Sequence, residues 1–308
     1  MIHKSSLALL LLYCRPSFAE FAPAGISSQS FAKSEATRAI QDPFRLPLFV
    51  ASLASESNVV RLGMSVIAGT KPELAKALKP AEPIILGDYE ALEMDADFTK
   101  LPSMLPGTPE SQKLKNRWHY FMYVPGGIRK GQKLPVVVFL HGFGGNFKIF
   151  PWWWKGVCEK NKWLMIFPTF GMGFWNNSGE KELVSGAIAD ALSKSGVQPS
   201  SLHLIGLSNG TIGAAPLTNR GLKSDGLIFI SGAGHLTPTG LKQVKHCLFV
   251  VGTKDPAFHI AERSHQALKK GGLKTTLMKY EGDGHFLLAS KRRRVQEDIV
   301  KWMNGRLP

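Results

Sequence analysis

The sequence is short of cysteine, short of acidic residues relative to basic ones, and without a long apolar run. Only 3 of its 308 residues are cysteine. A disulfide-dense small scaffold is excluded, because such folds use many bridges over a short chain. Cys14 lies in the leader described below; Cys158 and Cys247 sit in apolar surroundings and read as buried free thiols. No stretch approaches the ~20 apolar residues a membrane-spanning helix requires, so no stable membrane insertion is expected. His3, His119, His203, His235, His246 and His265 lack metal-ligand spacing, and neither a metal nor an organic cofactor is expected. There is no internal repeat.

The acidic shortage is larger: 23 Asp and Glu face 38 Lys and Arg, a formal net charge of +15. Such an excess attracts anionic surfaces. The basic residues are not interleaved with stacking aromatics, however, so nucleic acid is not expected as a partner. The one dense run, Lys291 to Arg294, opens a helix whose Val295, Ile299, Trp302 and Met303 share a stripe. It reads as a solvated first turn, mildly unfavourable against the helix dipole.

The first residues have the pattern of a secretory leader over 1–19. His3 and Lys4 precede the apolar Leu7 to Tyr13, and Ser17-Phe18-Ala19 is a small-x-small cleavage site. Bulky Tyr13 before Cys14 argues against a lipoprotein. An exported protein is expected. Residues 20–105 form an N-terminal extension with little periodicity. Pro43, Pro47, Pro80, Pro83 and Pro102 break it, and Glu73 to Leu78 is its one helical patch. It reads as partly packed and partly irregular.

Residues 106–308 read as the main globular domain. Trp118 to Val124 is a strand closed by Pro125-Gly126-Gly127. Pro135 to Leu140 and Trp163 to Phe167 are continuous apolar runs, the pattern of strands buried on both faces. Leu202 to Leu207, Gly226 to Ile230, Cys247 to Val251 and Thr275 to Tyr280 add four more. Helices are expected at Pro151–Lys160, Glu182–Ser193, Ala261–Lys270 and Lys291–Met303. Alternating strands and helices imply a mostly parallel, doubly wound sheet with helices on both faces. The connection from Ser231 to His246 is too short for a large lid insertion.

In such sheets ligands sit beyond the carboxyl ends of the strands. Four of these places carry catalytic residue types. Gly206-Leu207-Ser208-Asn209-Gly210 ends one strand; this G-x-S-x-G pattern turns sharply and lifts a serine hydroxyl clear of the sheet. Pro216 should make the following helix short or kinked. Ser208 needs a base, and His285 follows the last strand; imidazole takes and returns a proton near neutral pH. Asp255 follows the preceding strand and is placed to accept the other ring N–H. The loop His141-Gly142-Phe143-Gly144-Gly145 follows the fourth. The N–H groups of Phe143 and Asn209 are the candidate oxyanion donors. Asp283 is too close to His285 in sequence to be its acid and reads as a turn residue. Asp225 is at the wrong end of the sheet, His259 is a weaker base, and His141 reads as structural.

From about Trp118 onward these motifs resemble the α/β-hydrolase superfamily. The resemblance is to compact esterases of the polyhydroxybutyrate depolymerase, feruloyl esterase and dienelactone hydrolase type, and to prolyl-oligopeptidase-like catalytic domains. It implies the α/β-hydrolase fold, Ser208 as nucleophile, His285 as base and Asp255 as acid. Asn209 departs from the Ala, Gln or Tyr of many members, which leaves the subfamily open. The expected activity is hydrolysis of a small-molecule or polymeric carboxylic ester through an acyl-enzyme. The alternatives are a serine peptidase of prolyl-oligopeptidase type and an inactive binding protein on the same fold. Phe174, Trp175 and Trp152 are the candidate substrate-binding aromatics. The oligomeric state is left open.

Overall fold

Strand β3, Lys133–Leu140, shows why the sheet is central. Val136, Val138 and Leu140 join one apolar cluster, while Val137 and Phe139 join another. Successive strand side chains point to opposite faces, so a run apolar at every position needs cover on both sides. Each such side chain contributes about 1.5–3 kcal/mol on full burial. The computed structural model describes residues 20–38, 55–70, 72–175 and 179–305. The leader expected over 1–19 and Cys14 lie outside these residues.

The sheet has eight strands in the order β1-β2-β4-β3-β5-β6-β7-β8. The remaining strands are β1 Gly25–Ala32, β2 Arg117–Val124, β4 Leu164–Thr169, β5 Gln198–Leu207, β6 Ser224–Ile230, β7 Val244–Gly252 and β8 Lys274–Tyr280. From β4 to β8 all pairings are parallel; β2 is antiparallel to both β1 and β4. The mostly parallel sheet with helices on both faces agrees with the sequence expectation, and every expected strand forms, with ends extended by a few residues at most except that β4 begins at Leu164 rather than Trp163.

The helices are α1 Glu35–Arg38, α2 Glu56–Thr70, α3 Pro72–Leu78, α4 Glu82–Glu93, α5 Ala96–Thr99, α6 Pro109–Lys113, α7 Ile149–Asn161, α8 Glu180–Ser195, α9 Asn209–Asn219, α10 Pro238–Leu241, α11 Phe258–Lys270, α12 Leu287–Ser290 and α13 Arg292–Met303. Leu183, Val184 and Ala187 of α8, Ala214 and Leu217 of α9 and Ala261 and Leu268 of α11 cover one face. Tyr89 and Leu92 of α4, Trp153 and Trp154 of α7 and Val295 and Ile299 of α13 cover the other. Cys158 and Cys247 are free, buried, and in opposite layers. The β6–β7 connection holds only the four-residue α10. Helix α9 contains Pro216 and ends three residues later, consistent with a short helix. Among the described residues no helix is long and apolar enough to cross a membrane.

The stretch 20–105 carries more structure than its sequence pattern suggests. Its β1 pairs with β2 along the whole strand. Its α4 and α5 helices and the segment after them pack on the α7–α13 layer, burying Tyr89, Leu92, Phe98 and Met104. Buried and half-buried carboxylates help to hold them there. Buried Glu56 accepts the Lys148 N–H at 2.8 Å and the Ser103 hydroxyl at 3.2 Å. Asp88 pairs with Arg292 and accepts the Trp153 indole N–H at 2.9 Å. The expectation that Lys291–Arg294 is a solvated first turn is therefore corrected at Arg292. Its guanidinium lies 5.7 Å from the Trp152 ring and 5.3 Å from the Trp153 ring, against a carboxylate supplied by α4.

Candidate active site

Strands β5, β7 and β8 each end beneath one member of the expected triad. At the end of β5 the chain must reverse into α9 without drawing the helix away from the sheet. A Cβ on Gly210 would collide with the Leu140 carbonyl at the end of β3, so only glycine lets α9 begin there. The turn leaves Ser208 at φ 51°, ψ −115°. A serine in that region is strained, and such residues concentrate at functional sites. Its N–H donates to the Ile230 carbonyl at 2.9 Å, and its carbonyl accepts the Thr211 hydroxyl at 2.7 Å.

His285 lies on the loop after β8, which crosses close over the end of β7. The Asp283 carbonyl lies where a Cβ of Gly252 would be and accepts the Lys254 N–H at 2.9 Å. Asp283 is thus a turn residue that acts through its backbone. Asp255 is buried, and its Oδ1 accepts the Ala257 N–H at 2.8 Å and the His285 Nδ1–H at 3.0 Å. Its Oδ2 is buried without a partner among the described residues. A carboxylate can only accept, so the ring proton sits on Nδ1 and the Nε2 lone pair is free. The Ser208 hydroxyl points at that lone pair, with 2.9 Å between Oγ and Nε2. Three side chains from three strand ends therefore form one hydrogen-bonded line.

The loop after β3 borders Ser208: a methyl on Gly142 would touch Ser208 Cβ at 3.4 Å. The Phe143 N–H has no acceptor among the described residues. Asn209 is the first residue of α9, and its N–H has no acceptor within the helix. His141 fixes the loop from within. Its Nδ1–H donates to the Gly142 carbonyl at 2.8 Å and its Nε2 accepts the Phe170 N–H at 3.2 Å. Burial pushes its pKa down to about 4, so the ring stays neutral. Buried Asn146 ties the far end of the loop to β4, donating to the Phe167 carbonyl at 2.8 Å and the Thr169 hydroxyl at 3.0 Å.

The three aromatics expected to bind substrate separate. Phe174 is 41 % exposed and stands edge-to-face against Phe143, itself 59 % exposed, with 5.6 Å between centroids. This pair presents apolar surface beside the loop that borders Ser208. Trp175 is 1 % exposed and is not a surface contact. Its indole N–H donates to the His141 carbonyl at 2.8 Å, and its ring stacks on Phe170 at 5.1 Å. It anchors the loop from below. Trp152 is held among Asp95, Lys155 and Arg292, its indole N–H donating to Asp95 at 3.2 Å. That neighbourhood is built by α5 and α13, which the sequence did not place there. His259 is exposed and pairs with Glu262 at 3.5 Å; Asp225, at the start of β6, accepts the Leu202 N–H at 2.8 Å. Among the described residues no group of three or more His, Cys, Asp or Glu is arranged to hold a metal.

Sequence reasoning missed Ser231 and Asn146. Ser231 directly follows β6, so the rule of inspecting residues beyond strand ends could have found it. Asn146 follows the glycine loop, and nothing in its pattern marks it as buried.

No protein-family model and no curated protein sequence matches the chain. Among solved structures it is similar to an esterase of the fungus Rhizomucor miehei, with a TM-score of 0.52 and 14% identity, covering 72% of this chain and 96% of that one. A thermostable carboxyl esterase from Bacillus coagulans matches with a TM-score of 0.50 and 12% identity over 61% of this chain and 94% of that one. The acylaminoacyl peptidase of Pyrococcus horikoshii matches with a TM-score of 0.51 and 12% identity, over 62% of this chain but only 40% of the peptidase. At these identities what is shared is the architecture: the chain adopts the α/β-hydrolase fold.

Proposed function

We propose that this protein is a serine hydrolase that cleaves carboxylic esters. The observation that carries the reading is the line of 2.9 Å and 3.0 Å hydrogen bonds from Ser208 through His285 to buried Asp255. Ser208 Oγ attacks the ester carbonyl while His285 Nε2 takes its proton; Asp255 stabilises the imidazolium. The developing oxyanion is met by the N–H groups of Phe143 and Asn209, each contributing roughly 3–4 kcal/mol to the transition state. His285 then protonates the leaving alcohol. An acyl group remains on Ser208 until water, deprotonated by His285, releases it.

The esterase likenesses support ester over amide, and the short β6–β7 connection supports a site without a large inserted cap. The peptidase likeness supports amide cleavage as the second reading, weakened because most of that peptidase has no counterpart here. Short p-nitrophenyl esters, N-acyl peptides and a fluorophosphonate probe test the assignment. Labelling and ester turnover are expected for the wild type, with Ser208→Ala unlabelled and kcat reduced by roughly 10⁶. Turnover of N-acyl peptides alone supports the peptidase. A folded wild type that neither labels nor turns over supports a binding protein on a hydrolase fold and refutes the proposal.

A further inference from the structure

We propose that Ser231 is a positioning residue that fixes the triad base relative to its nucleophile, an inference that rests on the serine-hydrolase reading. Among the described residues three non-glycines have positive φ: Lys162, Ser208 and Ser231. Lys162 caps the end of α7, a usual place for a left-handed residue. Ser208 is the nucleophile. Ser231, at φ 51° and buried, has neither reason. A strained serine persists only where its surroundings over-determine it.

Two bonds hold it. Its N–H donates to the Val250 carbonyl at 2.9 Å, and its hydroxyl donates to the His285 carbonyl at 2.8 Å. The residue before it, Ile230, accepts the Ser208 N–H at 2.9 Å. Two consecutive residues at the end of β6 thus grip the main chain of the nucleophile and the main chain of the base. The other ties of the His285 loop run to the end of β7. These include Lys254 N–H to the Asp283 carbonyl at 2.9 Å, Gly282 N–H to the Thr253 hydroxyl at 2.9 Å and the Thr253 hydroxyl to the Glu281 carboxylate at 3.4 Å. They set the base against Asp255. The Ser231 hydroxyl ties it to β6, whose Ile230 holds the nucleophile. An imidazole free to drift from the Oγ loses alignment steeply, because small displacements cost disproportionately in a pre-positioned site.

Ser231→Gly removes the hydroxyl and relieves the backbone, so its melting midpoint should stay near the wild-type value. Its kcat should fall about tenfold, which corresponds to about 1.4 kcal/mol, with KM within about twofold. The rate of fluorophosphonate labelling should fall by the same factor. Ser231→Ala, which keeps the strained φ, should lose the same kcat and melt lower than the glycine variant. A kcat per labelled site and a labelling rate within about twofold of wild type, whatever the melting midpoint, overturn the proposal. A wild type that neither labels nor turns over sinks the hydrolase reading instead. The proposal is then decided by the downfield NMR signal of the His285 Nδ1–H. Faster exchange of that signal in Ser231→Gly supports it, and an unchanged signal overturns it.

Discussion

Replacing Glu56 by glutamine isolates a pH-dependent cost built into the junction between the N-terminal helices and the sheet. Burial, only partly offset by the Lys148 charge and by bonds from the Lys148 N–H and the Ser103 hydroxyl, pushes the Glu56 carboxyl up to about 7 from an ordinary 4.5. Between those values the unfolded chain has released the proton and the folded chain keeps it. The unfolded state then binds fewer protons, so stability falls as pH rises from 4.5 to about 7 and stays lowered above that. At about 1.36 kcal/mol per pH unit the full loss is about 3 kcal/mol. Glutamine keeps an oxygen for the Lys148 N–H, offers an amide N–H to Ser103, and does not titrate. Urea unfolding of both proteins should therefore show the variant gaining on the wild type by about 2–3 kcal/mol between about pH 5 and about pH 8. Buried His119, His141 and His203, pushed down to about 3, 4 and 4, have the opposite sign; they oppose folding as pH falls below the unfolded histidine value. They are present in both proteins and cancel in the difference. A stability gap that does not change with pH refutes the reasoning.

Gly210→Ala places a methyl against the Leu140 carbonyl, a backbone atom that cannot swing aside; it should cost more than about 3 kcal/mol in denaturant unfolding, and a variant as stable as wild type contradicts the packing described for the elbow. Phe174→Ala should raise KM for esters with bulky apolar groups several-fold while leaving the melting midpoint unchanged. Trp175→Ala should instead lose about 3–5 kcal/mol of stability, as buried aromatics do; if the two variants melt alike, the division between a surface contact and a loop anchor is wrong.

Much of the fold was legible because it depends on local pattern. Runs such as Pro135 to Leu140 are apolar at every position, which only a strand covered on both faces accommodates. The meeting of Ser208, His285 and Asp255 was legible for a related reason. Strand ends can be located from sequence, chemistry sits at those ends in parallel sheets, and Ser208 is marked by its G-x-S-x-G pattern while Asp255 and His285 each follow a strand. Strand β1 was not legible. It is an edge strand of mostly half-buried small and polar residues, and its pairing with β2 joins residues far apart in the chain.

The sequence by itself determined seven of the eight strands, the helices between them and the three strand ends where Ser208, Asp255 and His285 lie, because periodicity and turn residues act within a few positions. Only the tertiary structure decided what each aromatic does. Phe174 and Trp175 are neighbours of similar chemistry, yet one faces solvent beside Phe143 and the other donates to His141 inside the loop. The same holds for Trp152 and Arg292, which are occupied by Asp95 and Asp88 from helices whose place on the sheet no local pattern reveals. Burial and hydrogen-bond partners come from segments distant in the chain, and their positions follow from how the whole core packs rather than from any short stretch of residues.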